Sequence, residues 1–193
     1  MKEIKVNVKK LLVVVDMVNG FVKEGNMADP NIGHIIPECE RLVSKFLNDG
    51  NQVVYIADCH KEGCNEFSKF PMHCLEGTSE SEVVDELKKY ENEVILIKKN
   101  STSAMFAKGF IEVVNQIANL EEVVIIGCCT DICVQNLAIP LANYFDEEDR
   151  KITITVPVNA VETYDAPYHH KDEYNNMAFK FMKQTGINLV ERF

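Results

Sequence analysis

Short apolar runs, each bounded by polar or turn residues, recur along this chain and limit the folds that it can adopt. They occupy residues 11–15, 52–57, 93–97, 122–126, 152–158 and 187–190. Runs of this length are typical of buried strands. The segments between them have helical period, so strands and helices alternate. That alternation predicts an α/β fold with three layers (α/β/α), in which helices cover both faces of a largely parallel six-stranded sheet.

The predicted helices lie between these strands. The clearest one has apolar residues at Ile35, Ile36, Cys39, Leu42, Val43, Phe46 and Leu47, followed by a C-terminal cap signal at Asn48, Asp49 and Gly50. Ser79 and Glu82 have the spacing of a capping box, which predicts another helix from Ser79. Further helices are predicted near residues 107–118, 131–144 and 172–185. Residues 59–78 show no clear period, and long irregular loops often carry binding groups.

Length, charge and cysteine content exclude several classes of protein. With 193 residues and 46% hydrophobic content, the chain suits one domain over residues 1–193. A net charge of -10 without a basic stripe argues against nucleic acid as a partner. No apolar stretch is long enough to cross a bilayer, and Asp16 cuts short the one run that resembles a signal peptide. The odd count of 7 cysteines favours reduced thiols in a cytoplasmic protein, and a homo-oligomer is one option left open.

Polar residues that directly follow the predicted strands are the first candidates for a site, because ligands bind at the carboxyl ends of strands in such sheets. Asp16 ends the first strand, where partial desolvation would raise its pKa towards that of a general base. Lys98 and Lys99 end the third strand, and only one can point inward because side chains alternate along a strand. The segment from Gly127 to Cys133 leaves the fourth strand and enters a helix.

Cys133 is the candidate nucleophile of that segment. If Thr130 caps the helix, Cys133 lies in its first turn, where free backbone N–H groups and the helix dipole stabilise a thiolate. The pKa of Cys133 would then fall to between ~3.5 and ~7.5, and the same N–H groups would form an oxyanion hole. The alternative is that Cys133 is a small buried residue of the core, as most cysteines are.

Three ordered motifs resemble those of the isochorismatase-like cysteine hydrolases. They are Asp16 with Phe21, Lys99 with Ser103, Ala104 and Phe106, and the run Gly-Cys-Cys-Thr-Asp-Ile-Cys-Val from Gly127 to Val134. The resemblance extends from residue 10 to the last strand. It implies a catalytic triad of Asp16, Lys99 and Cys133, with Lys99 preferred to Lys98 because its distance to Ser103 fits the family pattern.

The same resemblance implies how the reaction's oxyanion would be held. A cis peptide between Cys128 and Cys129 would aim the Cys129 N–H inward, and the N–H groups of Cys129 and Cys133 would form the oxyanion hole. Phe21 and Phe70 are expected to stack on a flat substrate ring, although each could equally belong to ordinary core packing.

A metal site is expected in the irregular segment. Asp58 ends the second strand and His60 lies on the same side of an extended backbone, while Cys59 points the other way. Together with Glu66 and the run Phe-Pro-Met-His-Cys that contains His73, they resemble the metal-binding region of nicotinamidases. The implied ligands are Asp58, His60, Glu66 and His73. Such N and O donors suit a divalent ion, with zinc expected first and iron or manganese as alternatives.

A different metal site is also conceivable in this segment. Cys59, Cys64 and Cys74 could join the histidines in a structural zinc site, although no Cys-x-x-Cys pair is present.

The resemblance implies a nicotinamidase-like amidohydrolase. Its substrate would be nicotinamide, which a thioester route through Cys133 would convert to nicotinic acid and ammonia, as in NAD salvage. One alternative is an isochorismatase-like hydrolase that acts on another small amide. The other is a catalytically silent module that binds a metal or ligand.

Overall fold

The computed structural model describes residues 3–193 and contains a seven-stranded sheet, in which the neighbouring strands of this part of the chain are paired in parallel. The strands are β1 (Lys10–Val15), β2 (Gln52–Asp58), β3 (Ile95–Lys99), β4 (Glu122–Cys128), β5 (Thr153–Pro157), β6 (Val161–Glu162) and β7 (Asn188–Val190). Their order is β3-β2-β1-β4-β5-β7, and β6 pairs with the end of β4. The predicted parallel α/β sheet is confirmed, with the two-residue strand β6 added.

Helices cover the two faces of the sheet. They are α1 (Asn19–Val22), α2 (Ile36–Asn48), α3 (Asp85–Lys88), α4 (Phe110–Gln116), α5 (Gln135–Glu147) and α6 (Lys171–Gln184). Alternate residues of β1 point to opposite faces: Leu11 and Val13 pack with α4, α5 and α6, whereas Leu12 and Val14 pack with α2 and α3. Because β1 is buried on both sides, it reads as a continuous apolar run. Three layers result.

The helix predicted from Ser79 is wrong. Residues Ser79–Ser81 form one 3-10 turn without a side-chain cap, and Glu82 is extended. The Glu82 carboxylate accepts a hydrogen bond from Lys88 instead of closing a capping box. Next in the chain, Val83 pairs with Val18 in an isolated β-bridge, and burial of this β-branched residue outweighs the local helix signal.

Among residues 3–193, no helix is both long and apolar enough to cross a membrane.

Candidate active site and metal site

The carboxyl ends of β1, β2 and β3 bring three charged side chains together. These strands are neighbours, and the register pairs Asp58 of β2 with Lys99 of β3. Asp16 follows β1 with φ 52 and donates its N–H to the carbonyl of Ile56 in β2. The side chains of Asp16 and Lys99 are fully buried, and that of Asp58 is 4% exposed.

Lys99 is the centre of this charged group. Its Nζ lies 2.9 Å from Asp16 Oδ2, 2.7 Å from Asp58 Oδ1 and 3.8 Å from Cys133 Sγ. Lys98 points outward, where it is exposed and lies 3.8 Å from Glu76. The inward side chain is therefore Lys99, as the family pattern indicated.

Cys133 reaches the charged group because β4 ends in a tight approach to β1. Gly127 faces Val15 in the register, and a Cβ there would lie 2.0 Å from the Val15 carbonyl oxygen. Only glycine fits that position, which also has φ 113. The Cys128–Cys129 peptide is cis, as expected, and Cys129 and Cys133 both line one cavity.

The turn that carries Cys133 differs from the one predicted. Thr130–Val134 form a π-helical turn that leads into α5, and the Val134 N–H donates to the carbonyl of Cys129. Thr130 does not cap the helix, because Cys129 occupies the N-cap position and the Thr130 hydroxyl is buried without a partner.

The expected low pKa of Cys133 is also wrong. Burial raises the pKa of the Cys133 thiol well above its ordinary value, and the attraction of Lys99 does not offset burial and the nearby carboxylates Asp16 and Asp58. Burial likewise raises the pKa of Asp16, to about 6, against the opposing effect of Lys99. The resting pair near neutral pH is thus a neutral thiol beside a carboxylate that can accept its proton. Neither carboxylate oxygen of Asp16 has a hydrogen-bond partner, although Oδ2 lies 2.9 Å from Lys99 Nζ.

A second cluster adjoins Lys99 on the other side of Asp58. Asp58 Oδ2 lies 3.0 Å from His60 Nε2 and 3.2 Å from His73 Nε2, and the two Nε2 atoms are 3.2 Å apart. Asp58, His60 and His73 are the one group of three or more candidate ligands, among the described residues, whose atoms converge within 4.8 Å. Glu66 Oε2 lies 3.4 Å from His60 Nε2. Three of the four predicted ligands therefore converge, and Glu66 lies beside them without belonging to the converging group.

The hydrogen bonds around this cluster fit a bound cation. His60 Nδ1 donates to Asn100 Oδ1, an oxygen that also accepts the Lys61 N–H, and His73 Nδ1 donates to the carbonyl of Pro71. When both rings are neutral, both Nε2 atoms then present lone pairs to each other and to a carboxylate. Such an arrangement of neutral rings is repulsive unless a positive ion lies between these atoms, and oxygen partners on the far nitrogen are usual for histidines that bind metals.

Glu66 supplies a further indication of the same kind. Its Oε1 accepts hydrogen bonds from the N–H and the hydroxyl of Thr102, whereas its Oε2 is buried and has no hydrogen-bond partner. A buried carboxylate oxygen without a donor costs free energy unless something charged satisfies it. The converging donors Asp58, His60 and His73, with this carboxylate oxygen beside them, therefore fit a divalent ion.

The alternative cysteine site does not form. Cys59 and Cys74 are buried but do not belong to the converging group. The Cys64 thiol lies 3.5 Å from His60 Nδ1, which is the ring nitrogen that points away from Asp58 and His73.

One cavity of about 570 Å³ joins the two clusters. Asp58, Glu66, His73 and Cys133 line it together with the sequence-predicted aromatic residues Phe21 and Phe70. The rings of Phe21 and Phe70 lie 5.5 and 6.4 Å from the ring of His73.

Asn100 and Thr102, which orient His60 and Glu66, were not predicted. The signal that could have identified them is the polar run Asn-Ser-Thr-Ser that directly follows β3. Tyr164 and Tyr168, which also line the cavity, follow β6 and carried no comparable signal.

Comparison with known proteins identifies the family. The profile described as "Isochorismatase domain" matches residues 10–188. The chain belongs to the isochorismatase family. Among its relatives, Nicotinamidase 1 of Arabidopsis thaliana is 34% identical over 64% of this chain, but that match spans only 56% of the plant protein.

Two solved structures of family members share the fold. A nicotinamidase from Bacillus subtilis superimposes with a TM-score of 0.78 and 26% identity, covering 95% of this chain and 100% of its own. An N-carbamoylsarcosine amidase from Thermoplasma acidophilum gives a TM-score of 0.77 and 25% identity, covering 94% of this chain and 95% of its own.

Proposed function

We propose that this chain is a metal-assisted cysteine amidohydrolase that converts nicotinamide to nicotinic acid and ammonia. The observation that carries the proposal is the shared cavity, which Cys133 lines together with Asp58 and His73 of the converging cluster. The buried base Asp16 contacts Cys133 behind this lining. The plant nicotinamidase and the bacterial nicotinamidase structure support the choice of substrate.

The proposed reaction begins with proton transfer from the Cys133 thiol to Asp16. The sulfur then attacks the carboxamide carbon, and the N–H groups of Cys129 and Cys133 stabilise the oxyanion. Asp16 returns the proton to the departing nitrogen, so ammonia leaves and a thioester with Cys133 remains. Asp16 next takes a proton from water, and the water oxygen attacks the thioester carbon. The carbon–sulfur bond breaks, the acid is released, and Asp16 returns the proton to the Cys133 sulfur to restore the thiol. Lys99 compensates the negative charge on whichever partner carries it.

Asp58, His60, Glu66 and His73 would hold a divalent ion, with zinc proposed first and iron or manganese as alternatives. When bound, the ion supplies a Lewis acid for the pyridine nitrogen and so anchors the ring. Phe21 and Phe70 would flank that ring and orient its carboxamide towards Cys133.

We also propose that the chain works as one domain in the cytoplasm. Strands from Lys10 to Val190 enter one sheet, and all seven cysteines are free, which suits a reducing compartment.

The decisive test is ammonia release from nicotinamide by the purified, metal-loaded protein and by Cys133→Ala. We expect Cys133→Ala to lose several decades in kcat while its circular dichroism spectrum is unchanged, because the chemistry requires the thiol. The control is Cys39→Ala, whose thiol is buried in the layer formed by α2 and lies outside the cavity lining. Turnover by Cys133→Ala within tenfold of the unmodified enzyme would reject the nucleophile.

The role of the metal is tested separately with chelator and with His60→Ala. Because the ligands come from the end of β2 and the loop after it, the stripped protein should stay folded while KM for nicotinamide rises sharply. Benzamide lacks the ring nitrogen and should bind poorly with or without metal. Loss of helical signal together with activity would indicate a structural metal instead.

A second candidate substrate class is another small carboxamide. The similarity to an N-carbamoylsarcosine amidase favours it, and the cavity is larger than one pyridine ring requires. A panel of nicotinamide, pyrazinamide, aliphatic amides and N-carbamoyl amino acids, ranked by kcat/KM, separates the two. A catalytically silent protein would release ammonia from none of them, and its Cys133 would resist alkylation.

A further inference from the structure

His169 contacts the nucleophile turn, which is the π-helical turn Thr130–Val134 that carries Cys133. Its Nε2 lies 2.9 Å from Asp131 Oδ2, and Asp131 is two residues before Cys133 in the π-helical turn. Both partners are largely buried, with side-chain exposures of 5% for His169 and 13% for Asp131. Neither residue belongs to the proposed triad or to the metal ligands, so a buried ion-pair geometry of this kind needs an explanation.

The ring of His169 is fixed on both faces and at both nitrogens. Tyr164 and Tyr174 stack on it, with centroid distances of 3.8 and 3.6 Å and interplanar angles of 12° and 23°. Its Nδ1 lies 3.0 Å from the carbonyl of Tyr164. Both ring nitrogens therefore face oxygen atoms and both ring faces pack on aromatic rings, so the orientation of the ring is fixed.

The backbone around His169 adds to this rigidity. The N–H groups of Ala166 and His169 each donate to the other residue's carbonyl at 2.9 Å, which closes a short hairpin with Tyr168 at its tip. Tyr168 is 79% exposed and lines the cavity. The hairpin is therefore part of the cavity wall, and His169 is the residue that joins it to the nucleophile turn.

Asp131 receives two hydrogen bonds from this side. Thr163 donates its hydroxyl to Oδ1 at 2.6 Å, and His169 contacts Oδ2. With both oxygens engaged, the Asp131 side chain cannot change rotamer without breaking a buried charge-assisted hydrogen bond. The π-helical turn is thus held at its second residue.

From this geometry we infer that His169 is a positioning residue, which acts through Asp131 to hold Cys133 at the attack distance from a substrate. The inference rests on the proposed function, because it assumes that Cys133 is the nucleophile. An error of about 1 Å in the position of a reacting atom can cost on the order of 100-fold in rate. Loss of the hydrogen bond should therefore affect kcat more than KM.

The test uses variants that separate the hydrogen bond from the aromatic stack. His169→Phe keeps a flat ring between the two tyrosines but cannot donate, whereas His169→Gln keeps an N–H donor near the Nε2 position. We expect His169→Phe to lower kcat for nicotinamide roughly 10- to 100-fold with KM within about threefold. His169→Gln should recover most of that loss. His170→Phe is the matched control, because His170 is exposed and its side chain makes no cap hydrogen bond.

A second measurement does not depend on the substrate. The second-order rate of Cys133 alkylation by iodoacetamide, normalised to the folded fraction from thermal unfolding, should fall in His169→Phe and in Asp131→Asn. The double variant should lose no more than the worse single variant, because both changes break the same contact. If His169→Phe does not fold, the alkylation rates of Asp131→Asn and His169→Gln are compared instead.

Three results would overturn the inference. They are kcat and alkylation rates of His169→Phe within twofold of the unmodified enzyme, equal losses in His169→Phe and His169→Gln, or additive losses in the double variant. Failure of the proposed function is distinguishable, because it would appear as turnover by Cys133→Ala, whereas the alkylation series still reports on the position of the thiol.

Discussion

Replacing Asp16 by asparagine should make the protein more stable while abolishing turnover. Burial raises the pKa of Asp16 from 3.8 to about 6, against the attraction of Lys99. The folded state therefore favours the protonated carboxyl, and ionisation of Asp16 destabilises the fold increasingly as the pH rises from 3.8 to 6. A difference of about two pKa units corresponds to roughly 3 kcal/mol at pH 8, and to about half of that at pH 5. Asparagine resembles the protonated acid and avoids this cost.

The second partner of Lys99 makes this expectation specific. Asp58 Oδ1 lies 2.7 Å from the ammonium group, so Asp16→Asn does not leave a buried cation without a counterion. Urea unfolding of both proteins at pH 5, 6, 7 and 8, with chelator present, measures the difference in free energy of unfolding. The variant should gain stability over this range, with most of the increase between pH 5 and 7. A variant that is less stable at pH 8, or a difference independent of pH, would refute the reasoning from burial.

Three other expectations follow from the same geometry. Both kcat/KM and the alkylation rate of Cys133 should rise with pH and level off above about 6, because Asp16 must be ionised to accept the thiol proton; a midpoint near 8.5, as for a free cysteine, would exclude Asp16 as the base. Lys99→Met should lower the free energy of unfolding by about 3–5 kcal/mol and move the midpoint of the pH profile upward, whereas Lys98→Met, at an exposed position, should change neither quantity. Equal effects of the two substitutions would contradict the assignment of Lys99 as the inward lysine. Gly127→Ala should fail to fold or lower the free energy of unfolding by more than about 3 kcal/mol, since the added Cβ would clash with the Val15 carbonyl of β1. Gly50→Ala, which is also at positive φ but has no atoms near the added Cβ, should lower it by about 1 kcal/mol in urea unfolding.

The sheet could be predicted from the sequence because its signal is local. Each of the longer strands is a run of apolar residues, and burial on both faces leaves no polar alternation to confuse the reading. The two-residue strand β6 has no run of its own, since its pairing with the end of β4 depends on the 3-10 turn Val158–Ala160 that follows β5. The helix predicted at Ser79 failed for a related reason, because the partner of Val83 in the bridge is Val18, far away in the chain.

The same distinction between local signals and distant contacts separates the site residues that could be predicted from those that could not. Lys99 ends β3, whereas Asp16 and Cys133 follow β1 and β4, so their meeting at the carboxyl end of the sheet could be expected from the strand positions. His169 and Asp131 are 38 residues apart in the sequence, and no local sequence pattern around either residue predicts their contact. Local reasoning about helix dipoles also gave the wrong direction for the Cys133 pKa, since the cause is burial in a space that it shares with carboxylates from other strands.

The raised pKa of Cys133 is compatible with catalysis because the proton moves within one buried group. At rest, Lys99 faces two carboxylates, Asp16 and Asp58, and a neutral thiol. Transfer of the thiol proton to Asp16 leaves one carboxylate and one thiolate around the same cation, so the net charge of this buried group does not change. A low dielectric penalises the creation of charge much more than its relocation over a few ångströms. A Cys133 thiolate formed while Asp16 and Asp58 both remain ionised would need a second cation, which the described part of the site does not provide. Proton exchange with Asp16 needs only one cation, Lys99.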